Sequence, residues 1–126
     1  MDQKKNKILI VEDDSYISDM YKIKLEEGGY SVSVAPDGES GLELASQIMP
    51  DIILLDVVMP KMDGFAVLQN LRGDAKFKDT PIVMLTNLGQ KESVEKGLKS
   101  GADDYIVKAH FTPSEVVSKI EDILNK

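Results

Sequence analysis

Charged and hydroxyl side chains stand at the ends of apolar segments in this chain. Glu12-Asp13-Asp14 follows Ile8 to Val11, Asp56 follows Ile52-Ile53-Leu54-Leu55, Thr86-Asn87 ends a run from Ile82, and Lys108 ends one from Tyr105. Carboxylates brought within a few ångströms of one another repel and raise each other's pKa unless a cation sits among them. Oxygen-only ligation, without nearby His or Cys, favours a hard divalent ion, Mg2+, which keeps several waters and takes one or two carboxylates directly. No twelve-residue loop of alternating acids supports calcium. The acidic triplet alone would serve as a cap for a following helix. Asp56 and Lys108 shift the balance, because an unpaired buried carboxylate has no cheap structural role. An Asp56 carboxylate oxygen can act as a nucleophile and form an aspartyl phosphate. Mg2+ and Lys108 would stabilise the transferring oxygens, with the Thr86 hydroxyl and backbone N–H groups, those of Val57 and Asn87, as further donors.

Five short segments rich in β-branched and aliphatic residues supply those ends: Ile8 to Val11, Ser31 to Ala35, Ile52 to Asp56, Ile82 to Thr86 and Tyr105 to Lys108. Stretches of helical periodicity lie between them. Ile17, Met20, Tyr21 and Leu25 share one face of the first, and Val116, Ile120, Ile123 and Leu124 one face of the last. Gly28-Gly29 ends the first helix, Asp37-Gly38 and Asp63-Gly64 open turns, and Thr112-Pro113-Ser114-Glu115 reads as N-cap, N1 proline and capping-box acid. This alternation predicts an α/β fold with a parallel sheet covered on both faces. Ligands in such sheets bind beyond the carboxyl ends of the strands, near the point where strand order reverses, which is where the charged set falls.

With 126 residues, the chain fits one domain, 1–126, and its formal net charge of −7 opposes direct nucleic-acid binding. No apolar run approaches the roughly 20 residues that span a bilayer, so a cytoplasmic protein without membrane association is expected. Cys is absent, which excludes disulfides and thiolate chemistry.

These motifs, ILIVEDD (Ile8 to Asp14), DIILLDVVMPKMDG (Asp51 to Gly64), PIVMLT (Pro81 to Thr86) and GADDYIVK (Gly101 to Lys108), resemble in order and spacing the response-regulator receiver domain of bacterial two-component signalling. The resemblance covers nearly the whole chain. It implies a doubly wound, flavodoxin-like, five-stranded parallel sheet of order 2-1-3-4-5, and a phosphorelay switch that is not an enzyme beyond assisting its own phosphorylation and dephosphorylation. Asp56 matches the phosphoacceptor, Glu12 and Asp13 the metal-binding acids, Val58 the position whose backbone carbonyl also binds Mg2+, and Lys108 the family lysine. Thr86 matches the switch hydroxyl and Tyr105 the switch aromatic. The implied partners are a sensor histidine kinase or phosphotransfer protein and a downstream protein that meets the fourth helix, fifth strand and fifth helix. The protein is expected as a monomer or as a homodimer formed on phosphorylation, with Asp103, Asp104 and Lys119 either solvated or paired across subunits.

The chain departs from the family where Ala109-His110-Phe111 follows Lys108 in place of a cis proline and Phe, which leaves the Lys108–Ala109 peptide cis or trans. Asn87 exceeds the usual small residue, and Val58 and Leu88 are apolar where relatives carry groups that position water, so slow self-dephosphorylation is expected. An aspartyl-phosphate phosphatase or phosphotransferase would need an acid where Val58 stands. A flavin module would not place three acids against a phosphate. A protein-binding domain of the same fold that is never phosphorylated would have no use for the intact charged set.

Overall fold

The computed structural model describes residues 6–59, 61–86, 91–108 and 111–125. Five strands, β1 (Lys7–Val11), β2 (Ser31–Ala35), β3 (Ile52–Asp56), β4 (Ile82–Thr86) and β5 (Asp104–Val107), alternate with helices α1 (Ser15–Glu27), α2 (Gly38–Ile48), α3 (Gly64–Arg72), α4 (Lys91–Lys99) and α5 (Pro113–Leu124). All pairings are parallel and the order is β2-β1-β3-β4-β5. This is the α/β doubly wound sheet that the motif order implied. The last strand runs Asp104–Val107, one residue earlier than its apolar composition suggested, so Lys108 lies just beyond the sheet.

Side chains alternate across the sheet with period two and build two cores. Leu9, Val11, Ile53 and Leu55 pack with Val67, Leu68 and Leu71 of α3 and Ala45 of α2. Ile8, Ile10, Ile52 and Leu54 pack with Tyr21 and Leu25 of α1 and Val116 and Ile120 of α5. The central β3 is buried along its length, as its unbroken apolar run required. In α1 the buried residues are Ser18, Tyr21 and Leu25, whereas Met20, assigned to the core by periodicity, is 39% exposed. Tyr21 and Leu25 lie a turn apart, and Met20 falls about 100° away from Tyr21, off the narrow buried stripe.

Asp37-Gly38 and Asp63-Gly64, read as turns, are instead helix starts. The Asp37 carboxylate accepts the Ser40 N–H at 2.8 Å and that of Asp63 accepts the Ala66 N–H at 3.0 Å, each filling one of the open donors of a first turn. The capping box of α5 is present as predicted, with Thr112 and Glu115 bonded to each other's N–H groups. Arg72, at the end of α3, ties the opposite end of the sheet. Its guanidinium donates to the Gly101, Phe77 and Thr80 carbonyls at 2.8, 2.7 and 2.9 Å and to Asp103 Oδ2 at 2.7 Å. Asp103 is thus paired within the chain, as is Asp104, 3.1 Å from Lys119. Both pairs remain partly open to solvent.

Candidate functional site

The carboxyl ends of β1 and β3 adjoin where strand order reverses, and the acids converge there. Glu12 and Asp56 are buried, Asp13 is exposed, and each offers a carboxylate oxygen within 4.8 Å of the others. Asp14 stands apart, because its side chain caps α1 by accepting the Tyr16 and Ile17 N–H groups at 2.9 and 3.3 Å. The triplet therefore divides: one acid serves the helix, and two face the acceptor.

Lys108 reaches in from beyond β5. Its Nζ lies 2.7 Å from Glu12 Oε1 and 3.2 Å from Asp56 Oδ1, so the cation is shared unequally in favour of Glu12. The other Glu12 oxygen accepts the Asp14 N–H at 3.3 Å. Burial raises the Glu12 carboxyl above its ordinary range, helped by its hydrogen bond to Asp56, and Lys108 opposes that rise. For Lys108 burial acts downward, yet the Glu12 hydrogen bond and the charges of Asp56 and Glu12 outweigh it and hold the ammonium above the usual lysine value. The lysine is fully charged at neutral pH.

Thr86, at the end of β4, is buried, and its Oγ1 has no hydrogen-bond partner among the described residues. A buried hydroxyl in this state costs about 1–3 kcal/mol, which marks the place as one where an acceptor oxygen would be welcome. Tyr105 is 37% exposed on β5, in register with Met84 of β4. Val58 is also exposed, at 54%, directly after the acceptor turn.

One expected donor is otherwise engaged. The Val57 N–H extends the β3–β4 ladder by donating to the Leu85 carbonyl at 3.0 Å, and so does not face the acceptor. The Val58 N–H does, at 3.4 Å from Asp56 Oδ1. The strand expected to end at Asp56 thus continues its ladder through Val57. Asn87, Leu88, Ala109 and His110, and with them the Lys108–Ala109 peptide geometry, lie outside the described residues. Tyr21, read only as a core residue, stands beside the charged set. Burial raises its phenol, and Lys108, Glu12 and Asp56 all act on it electrostatically.

Among the described residues, three carboxylate oxygens with no nitrogen or sulfur donor form a set suited to a hard cation, and Lys108 alone neutralises the buried pair. The arrangement thus combines an acceptor carboxylate, a fixed ammonium, an unpartnered hydroxyl and a backbone N–H turned to the acceptor around one small volume.

The family description for the response regulator receiver domain matches residues 8–121. The chain is 46% identical over 120 residues to the DNA-binding dual master transcriptional regulator RpaA of Synechocystis, covering 95% of this chain and 49% of that protein. Among solved structures, it superposes on a putative response regulator from Chloroflexus aurantiacus with a TM-score of 0.91 at 34% identity, covering 98% of this chain and 100% of that one. Superposition on the Vibrio cholerae chemotaxis protein CheY4 gives 0.88, again at 34% identity, over 94% and 98% of the two chains. The chain spans about half the length of the curated relatives it matches.

Proposed function

Because the chain belongs to the response-regulator receiver family, we propose that residues 1–126 form one receiver domain in which Asp56 accepts a phosphoryl group from the phosphohistidine of a sensor kinase or phosphotransfer protein. The observation that carries this reading is the buried Asp56 carboxylate 3.2 Å from Lys108 Nζ. An Asp56 oxygen attacks phosphorus, the P–N bond breaks, and its electron pair leaves on the imidazole nitrogen, which is protonated as it departs. Lys108 neutralises charge on the phosphoryl oxygens. The Val58 N–H and the Thr86 hydroxyl donate to them, and Thr86 gains the partner it lacks.

Asp13, Asp56, Glu12 and the Val58 carbonyl would hold Mg2+, which supplies neutralisation of the β3-end acids and of the incoming phosphoryl oxygens. Glu12 already engages Lys108 and the Asp14 N–H, so its part is to hold the lysine as much as to bind the ion. Capture of the Thr86 hydroxyl and movement of Tyr105 would then shift a pre-existing equilibrium of the α4–β5–α5 surface toward a form that binds a downstream protein. On this reading the protein works in the cytoplasm, where kinase and target would meet. Among the described residues no helix is long and apolar enough to cross a membrane. The net charge of −7 favours a protein partner over DNA for this chain itself.

Incubation with Mg2+ and acetyl phosphate, followed by intact-mass measurement, tests the proposal. A single phosphoryl adduct that is absent from Asp56→Asn supports it. An adduct that persists in the variant refutes Asp56 as acceptor, and continuous phosphate release at enzymatic rates would favour a phosphatase.

A further inference from the structure

The acceptor and α4 meet at one aromatic ring. Gly64, the first residue of α3, donates its N–H to the Val57 carbonyl at 2.9 Å, and a Cβ there would collide with the Asp56 carbonyl oxygen and come within 2.9 Å of Val57 Cα. The next residue, Phe65, is therefore fixed to the acceptor backbone with no slack. Phe65 as a whole is only 9% exposed, although it sits in the first turn of its helix. Two consecutive residues of α4 lie on it. Lys96 Nζ stands 4.5 Å from the ring centroid, and a Cβ on Gly97 would be 3.5 Å from Phe65 Cε1 and 3.4 Å from Met84 Cγ. Met84 lies two residues before Thr86 on β4 and pairs with Tyr105. Both structural routes out of the pocket, through the β3 end and through β4, thus arrive at Lys96-Gly97.

We infer that the cation–π contact of Lys96 with Phe65 holds α4 in its resting place and is given up when Asp56 is phosphorylated, so that Phe65 reports the acceptor's state to the helix. This rests on the phosphoacceptor reading above. The contact is present while Thr86 Oγ1 is unpartnered. Bonding of that hydroxyl to a phosphoryl oxygen draws the end of β4 inward, and with it Met84, against which Gly97 rests. The ring, tied through Gly64, cannot follow α4. Lys96 is exposed, so its hold on the ring is the weakest of these contacts and the first to yield. Loss of one exposed cation–π contact changes a two-state population about two- to fivefold.

Beryllofluoride with Mg2+, an unreactive mimic of the phosphoryl group, provides the test. In the free protein the Lys96 ε-methylene protons are expected upfield, shifted by the ring current of Phe65, and are expected to lose that shift at saturation. Lys96→Met is expected to bind beryllofluoride about two- to fivefold more tightly, and Lys96→Arg, which keeps a cation over the ring, about as tightly as wild type. A ring-current shift that persists at saturation, or a Lys96→Met affinity equal to or weaker than wild type, overturns the inference alone. Failure of wild type to bind beryllofluoride at all overturns the acceptor reading and the inference together.

Discussion

Replacing Lys108 by Met keeps most of the aliphatic stem and removes the cation that, among the described residues, Glu12 and Asp56 share. Deleting one partner of a buried ion pair typically costs about 3–5 kcal/mol. Two features bound the cost here. Lys108 is 15% exposed, which admits some solvent, and the stranded pair has an escape through protonation of Glu12. Protonating a carboxyl of ordinary value 4.5 costs about 1.4 kcal/mol per pH unit above that value, so the escape caps the loss near ~4 kcal/mol at pH 7.5 and ~1.4 kcal/mol at pH 5.5. The expected loss is therefore about 3 kcal/mol at the higher pH and less than half that at the lower. In the variant the folded Glu12 carboxyl binds its proton more tightly than the unfolded one, so stability relative to wild type falls as pH rises through the raised folded value. Urea unfolding at both pH values, with EDTA and then with Mg2+, measures it. Mg2+ is expected to stabilise the variant more than wild type, since it then supplies the positive charge between the acids that Lys108 supplied. A loss under about 0.5 kcal/mol, or an equal loss at both pH values, would refute the claim that Lys108 neutralises a buried acid pair.

Gly64→Ala would press a methyl group onto the Asp56 carbonyl oxygen and Val57 Cα, where only backbone can give way. A destabilisation of about 1–3 kcal/mol in urea and acetyl-phosphate labelling slowed more than ~10-fold are expected, and an unchanged midpoint and rate would count against the close approach. Glu115 has its carboxyl held below the ordinary 4.5 by the Thr112 backbone and side-chain hydrogen bonds of the α5 cap. Its contribution to stability is present above pH 4.5 and lost as pH falls through the lower folded value. Glu115→Gln should therefore flatten the acid limb of a melting-temperature profile in that window, and an unaltered limb would exclude the cap as its source. Val58 is 54% exposed beside the acceptor. Val58→Asn, which can orient an attacking water, should shorten the phosphoryl lifetime severalfold in a mass time course, and a wild-type lifetime of seconds would remove the premise of slow loss.

The sheet was readable because β1, β3 and β4 carry unbroken apolar runs that stop abruptly at an acid or a hydroxyl, while β2 alternates serine with valine. Asp56 shows this most plainly: four buried aliphatic residues precede it in β3, and a carboxylate in fifth place needs a partner. What the sequence hid depends on hydrogen-bond direction and side-chain reach, neither of which periodicity encodes. The ladder continues one residue past the apolar run, so Val57 donates to Leu85 and Val58 faces the acceptor. The same limit hid the division of labour in Glu12-Asp13-Asp14, where three adjacent acids cap a helix, face solvent and hold a lysine. Asp37 and Asp63 were read as turn formers because an Asp-Gly pair serves turns and helix starts alike, and only the N–H groups that follow distinguish the two.

Unequal sharing of Lys108 gives the resting site its logic. A lysine bonded chiefly to Asp56 would shield the nucleophile and would have to be displaced before attack. Bonded more closely to Glu12, at 2.7 Å against 3.2 Å, it neutralises the pocket while leaving most of the acceptor's charge available. Glu12 is long enough to reach it there. Glu12→Asp would shorten that reach and shift Lys108 toward Asp56, so slower labelling by acetyl phosphate is expected together with a stability change smaller than that of Lys108→Met. A variant that labels at the wild-type rate would show that the pairing with Glu12 has no bearing on the acceptor.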